Sequence, residues 1–355
     1  MSLFQQMQEM EHEQVVFGYD EATGLKCIIG IHNTVLGPSL GGTRFWNYAT
    51  DADAVKDVLR LSRGMTYKAA ISGINLGGGK AVIIGDPYRD KSEALWRRFG
   101  KFVNSLGGKY ITAEDVGTSS KDMEYVAMET KYVTGVPEFL GGSGDPSPVT
   151  AYTTFLGIKA SLKKSTGNDS VGGKKVLVQG VGHVGQYLVK YLKEEGAEVY
   201  VSDIHEDKLS EIKKEYPDVK VVPPESVYDV DVDIYAPCAL GATINSETIP
   251  KLKCSIIAGA ANNQLENEII HGNMLKEKGI YYAPDFLINA GGLINVYCEW
   301  TGYNRERAMG TAEMIYDRTL EIYAKADEEN ISTHQAALQI AHERIQQVAK
   351  LNSYL

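Results

Sequence analysis

The spacing of apolar residues switches between a helical and a strand period along most of the chain. Leu3, Phe4, Met7 and Met10 recur at helical spacing and predict a short opening helix. Residues 15–19 and 25–32 read as strands about the turn Glu21-Ala22-Thr23-Gly24, a hairpin. GPSLGGTRFW, residues 37–46, reads as a glycine-rich loop carrying Arg44. From Asp51 onward, Ala54, Val55, Val58, Leu59, Ser62 and Met65 make one apolar helix face, with Lys68 at or just past the C-terminal end. Gly77, Gly78 and Gly79 read as a turn, with Lys80 after it and a short buried strand over 81–84. A helix over 92–106 buries Leu95, Trp96, Phe99, Phe102, Val103 and Leu106. Residues 110–115 then form a strand that delivers Glu114 and Asp115 at its end.

Residues 141–149, GGSGDPSPV, have no periodicity and read as a crossing between domains. Beyond them come a helix over 150–164 and a strand, glycine turn, helix and strand over 176–208. Further strands are expected at 233–236, 255–258 and 280–282. A glycine turn at NAGGLIN, near Asn289, opens a helical stretch to about 330, and residues 334–351 are amphipathic.

Composition narrows the class without naming a chemistry. With 43% hydrophobic and 23% charged residues in 355, the chain is an ordinary globular protein of about two domains. A net charge of −10 argues against nucleic acid or an anionic membrane as partners. Cys27, Cys238, Cys254 and Cys298 stand far apart, without metal-ligand spacing or a disulfide framework. The acidic start lacks a secretory h-region, and no run suits a membrane helix, so a cytoplasmic protein is expected.

The strongest chemical signal lies in the second half. Gly180, Gly182 and Gly185 form G-x-G-x-x-G between a strand and a helix, and Asp203 ends the next strand, 18 residues on. Gly180 permits the tight turn, Gly182 lets a pyrophosphate approach the backbone, and Gly185 lets helix and strand pack closely. The loop from Gly180 through Val181, Gly182, His183, Val184 and Gly185 to Gln186 is therefore a dinucleotide candidate. An acid at Asp203, followed by Ile204 and no arginine, favours NAD over NADP, since a carboxylate repels a 2′-phosphate. Such a cofactor takes a hydride, and a lysine of depressed pKa beside it suits an amine or imine substrate. Lys80 is the candidate for that lysine, with Lys68 twelve residues before it. A solvated lysine after an ordinary turn has the same spacing.

GPSLGGTR, RGMTYKAA, NLGGGKAVI, ITAEDVGT, GDPSPVTA, VQGVGHVG, APCALGAT, IAGAANNQL and YAPDFLINAGGLINV separate these readings. In order from about residue 12 to 310, they resemble the glutamate/leucine/phenylalanine/valine dehydrogenase family. The resemblance implies an α/β fold of two domains around a cleft. Residues 1–148 would be the catalytic and oligomerisation domain, with a C-terminal helix, 326–355, packing back on it. Residues 149–325 would be a Rossmann domain binding NAD. Reversible oxidative deamination of an L-amino acid to a 2-oxo acid and ammonia follows. By the resemblance Lys68 binds the substrate carboxylate, Lys80 activates water and shuttles protons, and Asp115 moves protons to and from the amine. Gly41, Gly42 and Asn262 would also hold that carboxylate. Thr150 and Asn289 would lie near the nicotinamide, with Ala236, Cys238 and Ala260 along the cofactor. Homo-oligomers, most often octamers, are the family habit.

The family's side-chain pocket corresponds to Leu40, Ala113, Leu293 and Val296, all apolar here. No cation there can pair a second substrate carboxylate, which argues against glutamate, because an unpaired buried charge is costly. Two bulky leucines favour branched aliphatic substrates. Aromatic amino acids, with the same chemistry, and a non-catalytic NAD- or amino-acid-binding protein are the alternatives. Arg44 reads as a structural or interdomain ion pair.

Overall fold

The computed structural model describes residues 2–352. Residue 1 and residues 353–355, at the ends of the expected ranges 1–148 and 326–355, lie outside the described residues. The chain divides into two compact units. One comprises residues 1–145, 295–308 and 341–355, and the other residues 146–294 and 309–340.

In the first unit, α1 (Leu3–Glu9) starts at a reciprocal capping box between Ser2 and Gln5. β1 (Gln14–Asp20) and β2 (Leu25–Asn33) form the expected antiparallel hairpin, its turn closed by Thr23 on the Asp20 carboxylate. Next come β3 (Ser39–Trp46), α2 (Asp51–Ile71), β4 (Gly77–Ile84), α3 (Glu93–Ser105), β5 (Tyr110–Glu114) and α4 (Ser120–Ala127). Among the described residues they give a five-stranded sheet of order β1-β2-β4-β3-β5, with β3 parallel to both its neighbours. Side-chain alternation sorts the two faces. Cys27, Ile29, Ile31, Phe45, Ala81 and Ile83 share a core with residues of α3 and α4. Ile28 and Val82, on the opposite face, pack with Ala54, Val58 and Leu59 of α2.

Two local expectations are corrected here. The stretch read as a glycine loop is strand β3 from Ser39 onward, and the three glycines read as a turn begin strand β4. None of Gly41, Gly42, Gly77, Gly78 and Gly79 has a positive φ. Their value is the missing Cβ. One built at Gly78 would lie 2.1 Å from Thr66 Oγ1 and 2.5 Å from the Ser62 carbonyl, so only glycine lets α2 come so close. One at Gly41 would sit 1.7 Å from the Gly79 carbonyl oxygen. Helix α2 also runs past Met65 to Ile71, which places Lys68 inside its last turn.

Two histidines are buried beneath α2. His12 Nε2 lies 2.8 Å from Ser62 Oγ, and His32 Nδ1 lies 2.8 Å from Thr66 Oγ1. Burial lowers His12 to about 4 and His32 to about 3 from an ordinary 6.5. Both stay neutral in the fold, whereas the unfolded chain takes up protons below pH 6.5. Their contribution to stability is therefore complete above that pH and is lost as pH falls toward 4. The urea midpoint should drop across this window, and His12→Gln/His32→Gln should flatten the drop.

The second unit begins with α5 (Ser147–Thr166), followed by β6 (Lys175–Gln179), α6 (His183–Glu194), β7 (Glu198–Ser202), α7 (Glu206–Glu215) and β8 (Lys220–Val221). Then come β9 (Ile234–Pro237), β10 (Ile256–Ile257), α8 (Glu268–Glu277) and β11 (Tyr281–Tyr282). The six strands are parallel in the order β11-β10-β9-β6-β7-β8. Val176, Leu177 and Val178 of β6 are all fully buried, as a strand covered on both faces requires. The chain reverses its direction of travel across the sheet between β6 and β9, and ligands of such sheets bind outside that switch point.

The helices α9 (Asp285–Ile288), α10 (Gly291–Trp300), α11 (Arg305–Glu329) and α12 (Thr333–Asn352) complete the chain. NAGGLIN is a turn only at Asn289 and Ala290. Its glycines start α10, because a Cβ at Gly291 would lie 2.3 Å from the Val149 carbonyl of α5. The long helical stretch is interrupted between α10 and α11, where Gly302 takes a φ of 92°. Among the described residues no helix is long and apolar enough to cross a membrane.

Candidate active site

Three parallel strands place the polar residues of the first unit. Gly42 pairs with Ala113, and Leu40 pairs with Gly78 on one side and Ile111 on the other. Because alternate residues share a face, Leu40, Gly42, Arg44, Gly78, Lys80 and Ala113 all lie on the sheet face that α2 covers. Asp115 follows β5 directly, its backbone held in a turn by Thr118, whose Oγ1 accepts from the Asp115 amide at 2.7 Å. A Cβ at Gly42 would come within 2.9 Å of Asp115 Cβ, so glycine makes room for the carboxylate.

Lys80 is only 5% exposed, and its ammonium lies 3.1 Å from Asp115 Oδ2. Arg44 Nε donates to that same oxygen at 3.1 Å, and its Nη1 donates to Asp57 Oδ2 at 2.9 Å. Tyr48 donates its hydroxyl to Asp57 Oδ2 at 2.7 Å. Burial alone would raise the Asp115 carboxyl, but the Lys80 and Arg44 cations outweigh it and hold the group below its ordinary range. Burial pushes the neighbouring Glu114 carboxyl the other way, upward. One carboxylate thus stays ionised between two cations.

Lys68 is half-buried, two residues beyond Thr66, whose backbone lies against Gly78 at the start of the strand that carries Lys80. Leu40 and Ala113 are buried on the sheet and Val296 is half-buried on α10, while Leu293 is a buried residue of the second unit. Arg44 is the residue that sequence reading undervalued. Both its partners, Asp115 and Asp57, belong to its own unit. Two-residue alternation from Gly42 would have aimed it at Lys80, had residues 37–46 been read as a strand.

In the second unit the glycine loop bridges β6 and α6. Gly180 has a φ of 97°, and a Cβ there would meet Ala239 at 2.7 Å. Gly185 lies so close beneath the loop that its Cβ would be 2.0 Å from the Gly180 carbonyl. Gly182 caps α6 without a side-chain hydrogen bond, and a Cβ added there would meet nothing within 4 Å. The bare N-terminus fits a pyrophosphate, since its amides and the helix dipole both favour an anion. His183 and Val184 open the helix, and Gln186 donates back to the Val181 carbonyl at 3.1 Å. Asp203 accepts from the Val181 amide at 2.8 Å and the His205 amide at 2.9 Å. Burial would raise its carboxyl, but these bonds hold it below the usual range. Ile204 beside it is exposed.

Ala236 pairs with Val178 across the switch point, and the Cys238 amide donates to Gln179 at 2.7 Å. Burial pushes the Cys238 thiol up to about 12, so it is not a nucleophile. Asn289 donates to Asn262 Oδ1 at 2.7 Å and to the Ala260 carbonyl at 3.1 Å, which gathers these three residues. Thr150 donates to the Pro146 carbonyl in the first turn of α5.

Residues 11–132 match the family described as Glu/Leu/Phe/Val dehydrogenase, dimerisation domain, and residues 141–205 and 200–352 match Glutamate/Leucine/Phenylalanine/Valine dehydrogenase. The chain belongs to this dehydrogenase family. A leucine dehydrogenase of Thermoactinomyces intermedius is 53% identical over 353 residues, 99% of this chain and 96% of that protein. An L-tryptophan dehydrogenase of Nostoc punctiforme is 49% identical over 345 residues, covering 97% of this chain and 96% of that protein. The crystal structure of L-tryptophan dehydrogenase from Nostoc punctiforme superposes with a TM-score of 0.87 at 47% identity, covering 98% of this chain and all of that one. Enzymes of this dehydrogenase family use a pyridine nucleotide.

Proposed function

We propose that the protein catalyses the reversible, NAD-dependent oxidative deamination of L-leucine and other branched-chain L-amino acids. The amino acid, NAD⁺ and water give the 2-oxo acid, ammonium, NADH and a proton. The observation that carries this reading is the buried Lys80–Asp115 pair at 3.1 Å, because an ammonium and a carboxylate in contact can pass protons between water and an amine. Bound NAD⁺ supplies the hydride acceptor. Lys68 and the backbone at Gly41 and Gly42 hold the substrate carboxylate, Lys80 in its neutral amine form takes a proton from the attacking water, and Asp115 exchanges protons with the substrate nitrogen.

The apolar character of the family's side-chain positions, Leu40, Ala113, Leu293 and Val296 here, supports an aliphatic side chain. The Asp203 carboxylate at the end of β7 supports NAD over NADP. Residues 1–148 with the C-terminal helix serve as the catalytic and oligomerisation domain, and residues 149–325 as the NAD-binding domain. The working form is a cytoplasmic homo-oligomer, an octamer being the commonest state in the family.

A panel of L-leucine, L-valine, L-phenylalanine and L-tryptophan tests the substrate, with NAD⁺ and NADP⁺ compared on the best of them. The highest kcat/KM should fall on leucine or valine with NAD⁺. A rate on phenylalanine or tryptophan equal to or above that on leucine would move the assignment to the aromatic substrates. Pocket methyl groups discriminate by only about 1–3 kcal/mol, so the ratios should be moderate, roughly 10- to 200-fold.

A further inference from the structure

Asp115 has two carboxylate oxygens, and they are used unequally. Oδ2 receives Lys80 Nζ at 3.1 Å and Arg44 Nε at 3.1 Å, whereas Oδ1 accepts no hydrogen bond among the described residues. The guanidinium of Arg44 is itself held, since Nη1 reaches Asp57 on α2 at 2.9 Å and Asp57 takes further bonds from Tyr48 and Arg60. Asp115, Arg44 and Asp57 therefore form a braced row running from the end of β5 to the body of α2.

We propose that Arg44 is a positioning residue for the deamination reaction: by gripping Oδ2 it turns Oδ1 of Asp115 outward, toward the substrate nitrogen. The inference rests on the amino-acid dehydrogenase reading above. A lone Lys80–Asp115 pair would leave the carboxylate free to turn about its terminal bond, because a single ammonium holds it at one point. A planar guanidinium anchored at its far end removes that freedom. The same contact adds a second cation beside the carboxylate and keeps it ionised over a wider acid range. Groups near enough for their charge and that of Asp115 to affect each other are Lys80 from β4, Arg44 from β3, Tyr48 from the β3–α2 connection and Tyr110, on the other face of the sheet, with Asp57 beyond Arg44.

On its other side Arg44, with Trp46, Tyr48, Asp57 and Val116, lines a cavity of about 500 Å³. A small cation can therefore reach the space that a truncated Arg44 side chain would leave. The test uses the full chain as Arg44→Ala and Arg44→Lys, with leucine and NAD⁺ as the probes. For Arg44→Ala, kcat should fall about 100-fold, within the range for a proton-transfer group. The acid limb of kcat/KM should move to higher pH, and NADH should bind with unchanged Kd. Guanidinium chloride, far below unfolding concentrations, should restore part of kcat, and Arg44→Lys should return the acid limb part-way without added guanidinium.

An unmoved acid limb in both variants, or a kcat loss matched only by a lower melting temperature and unrelieved by guanidinium, would overturn the positioning role. Should Arg44→Ala fail to fold, Arg44→Lys and Asp57→Asn carry the same test. Asp57→Asn frees the anchor while keeping Arg44, and it should lower kcat with little change in KM. Absence of amino-acid turnover in the unaltered protein would instead sink the dehydrogenase reading, so the two failures are distinct.

Discussion

Lys80→Ala should lower kcat for leucine by about 10³- to 10⁴-fold, the upper part of the range for removing a positioned acid–base group. Lys80 is a buried ammonium of the first unit's polar cluster, and among the described residues Arg44 is the other cation paired with Asp115 Oδ2. The variant should still fold. Asp115 keeps its contact with Arg44, so no buried carboxylate is left without a cation, the situation that makes breaking a buried pair expensive. NADH binding should be unaffected, because the glycine loop and Asp203 belong to the second unit. Steady-state rates together with a fluorescence titration of NADH separate the two effects. Full turnover in this variant would remove the lysine from the mechanism.

The second large effect is expected from Asp115→Asn, a nearly isosteric change that deletes one charge. Its kcat should fall about 10²- to 10⁴-fold. Unlike loss of Lys80, it leaves Lys80 and Arg44 facing one another without the carboxylate that separates them, so it should also lower the melting temperature. The pH dependence follows from the sign of the shift. Asp115 is held below its ordinary 3.8 in the fold, so its contribution to stability is present above pH 3.8 and is lost as pH falls through the lower folded value. The gap in melting temperature between the unaltered protein and Asp115→Asn should therefore narrow only in that acid range. Combining Lys80→Ala with Asp115→Asn should cost far less than the product of the two single losses, since both act on one proton path. A fully multiplicative loss would show that the two side chains work separately.

Some elements could be read residue by residue. The hairpin of β1 and β2, helix α3, and the β6–α6–β7 unit each carry their pattern within a few tens of residues of chain. Local periodicity and turn chemistry are enough for these. The Gly180–Gly185 loop could be singled out in the same way, whereas the spacing of Lys80 left a solvated lysine open and the role of Asp115 rested on the family resemblance. Residues 37–46 and 77–79 could not be read so. Gly41, Gly42 and Gly77 to Gly79 look like loops because glycine is most often read as freedom at φ > 0, yet here they are extended strand residues. The same holds for Gly291, which reads as a turn and begins a helix.

By itself the amino-acid order determined the alternation of strands and helices, the dinucleotide loop and the residues able to carry acid–base chemistry. These depend on neighbours a few positions away. Tertiary structure decided why Gly41, Gly42 and Gly78 are glycines, and that Lys80 and Arg44 meet on one oxygen of Asp115. Those facts turn on what lies against each position from elsewhere in the chain: Gly79 and Thr66 against the glycines, and β3, β4 and β5 converging on Asp115. A missing Cβ or a shared carboxylate oxygen leaves no trace in local periodicity, because its cause is a contact between segments tens of residues apart.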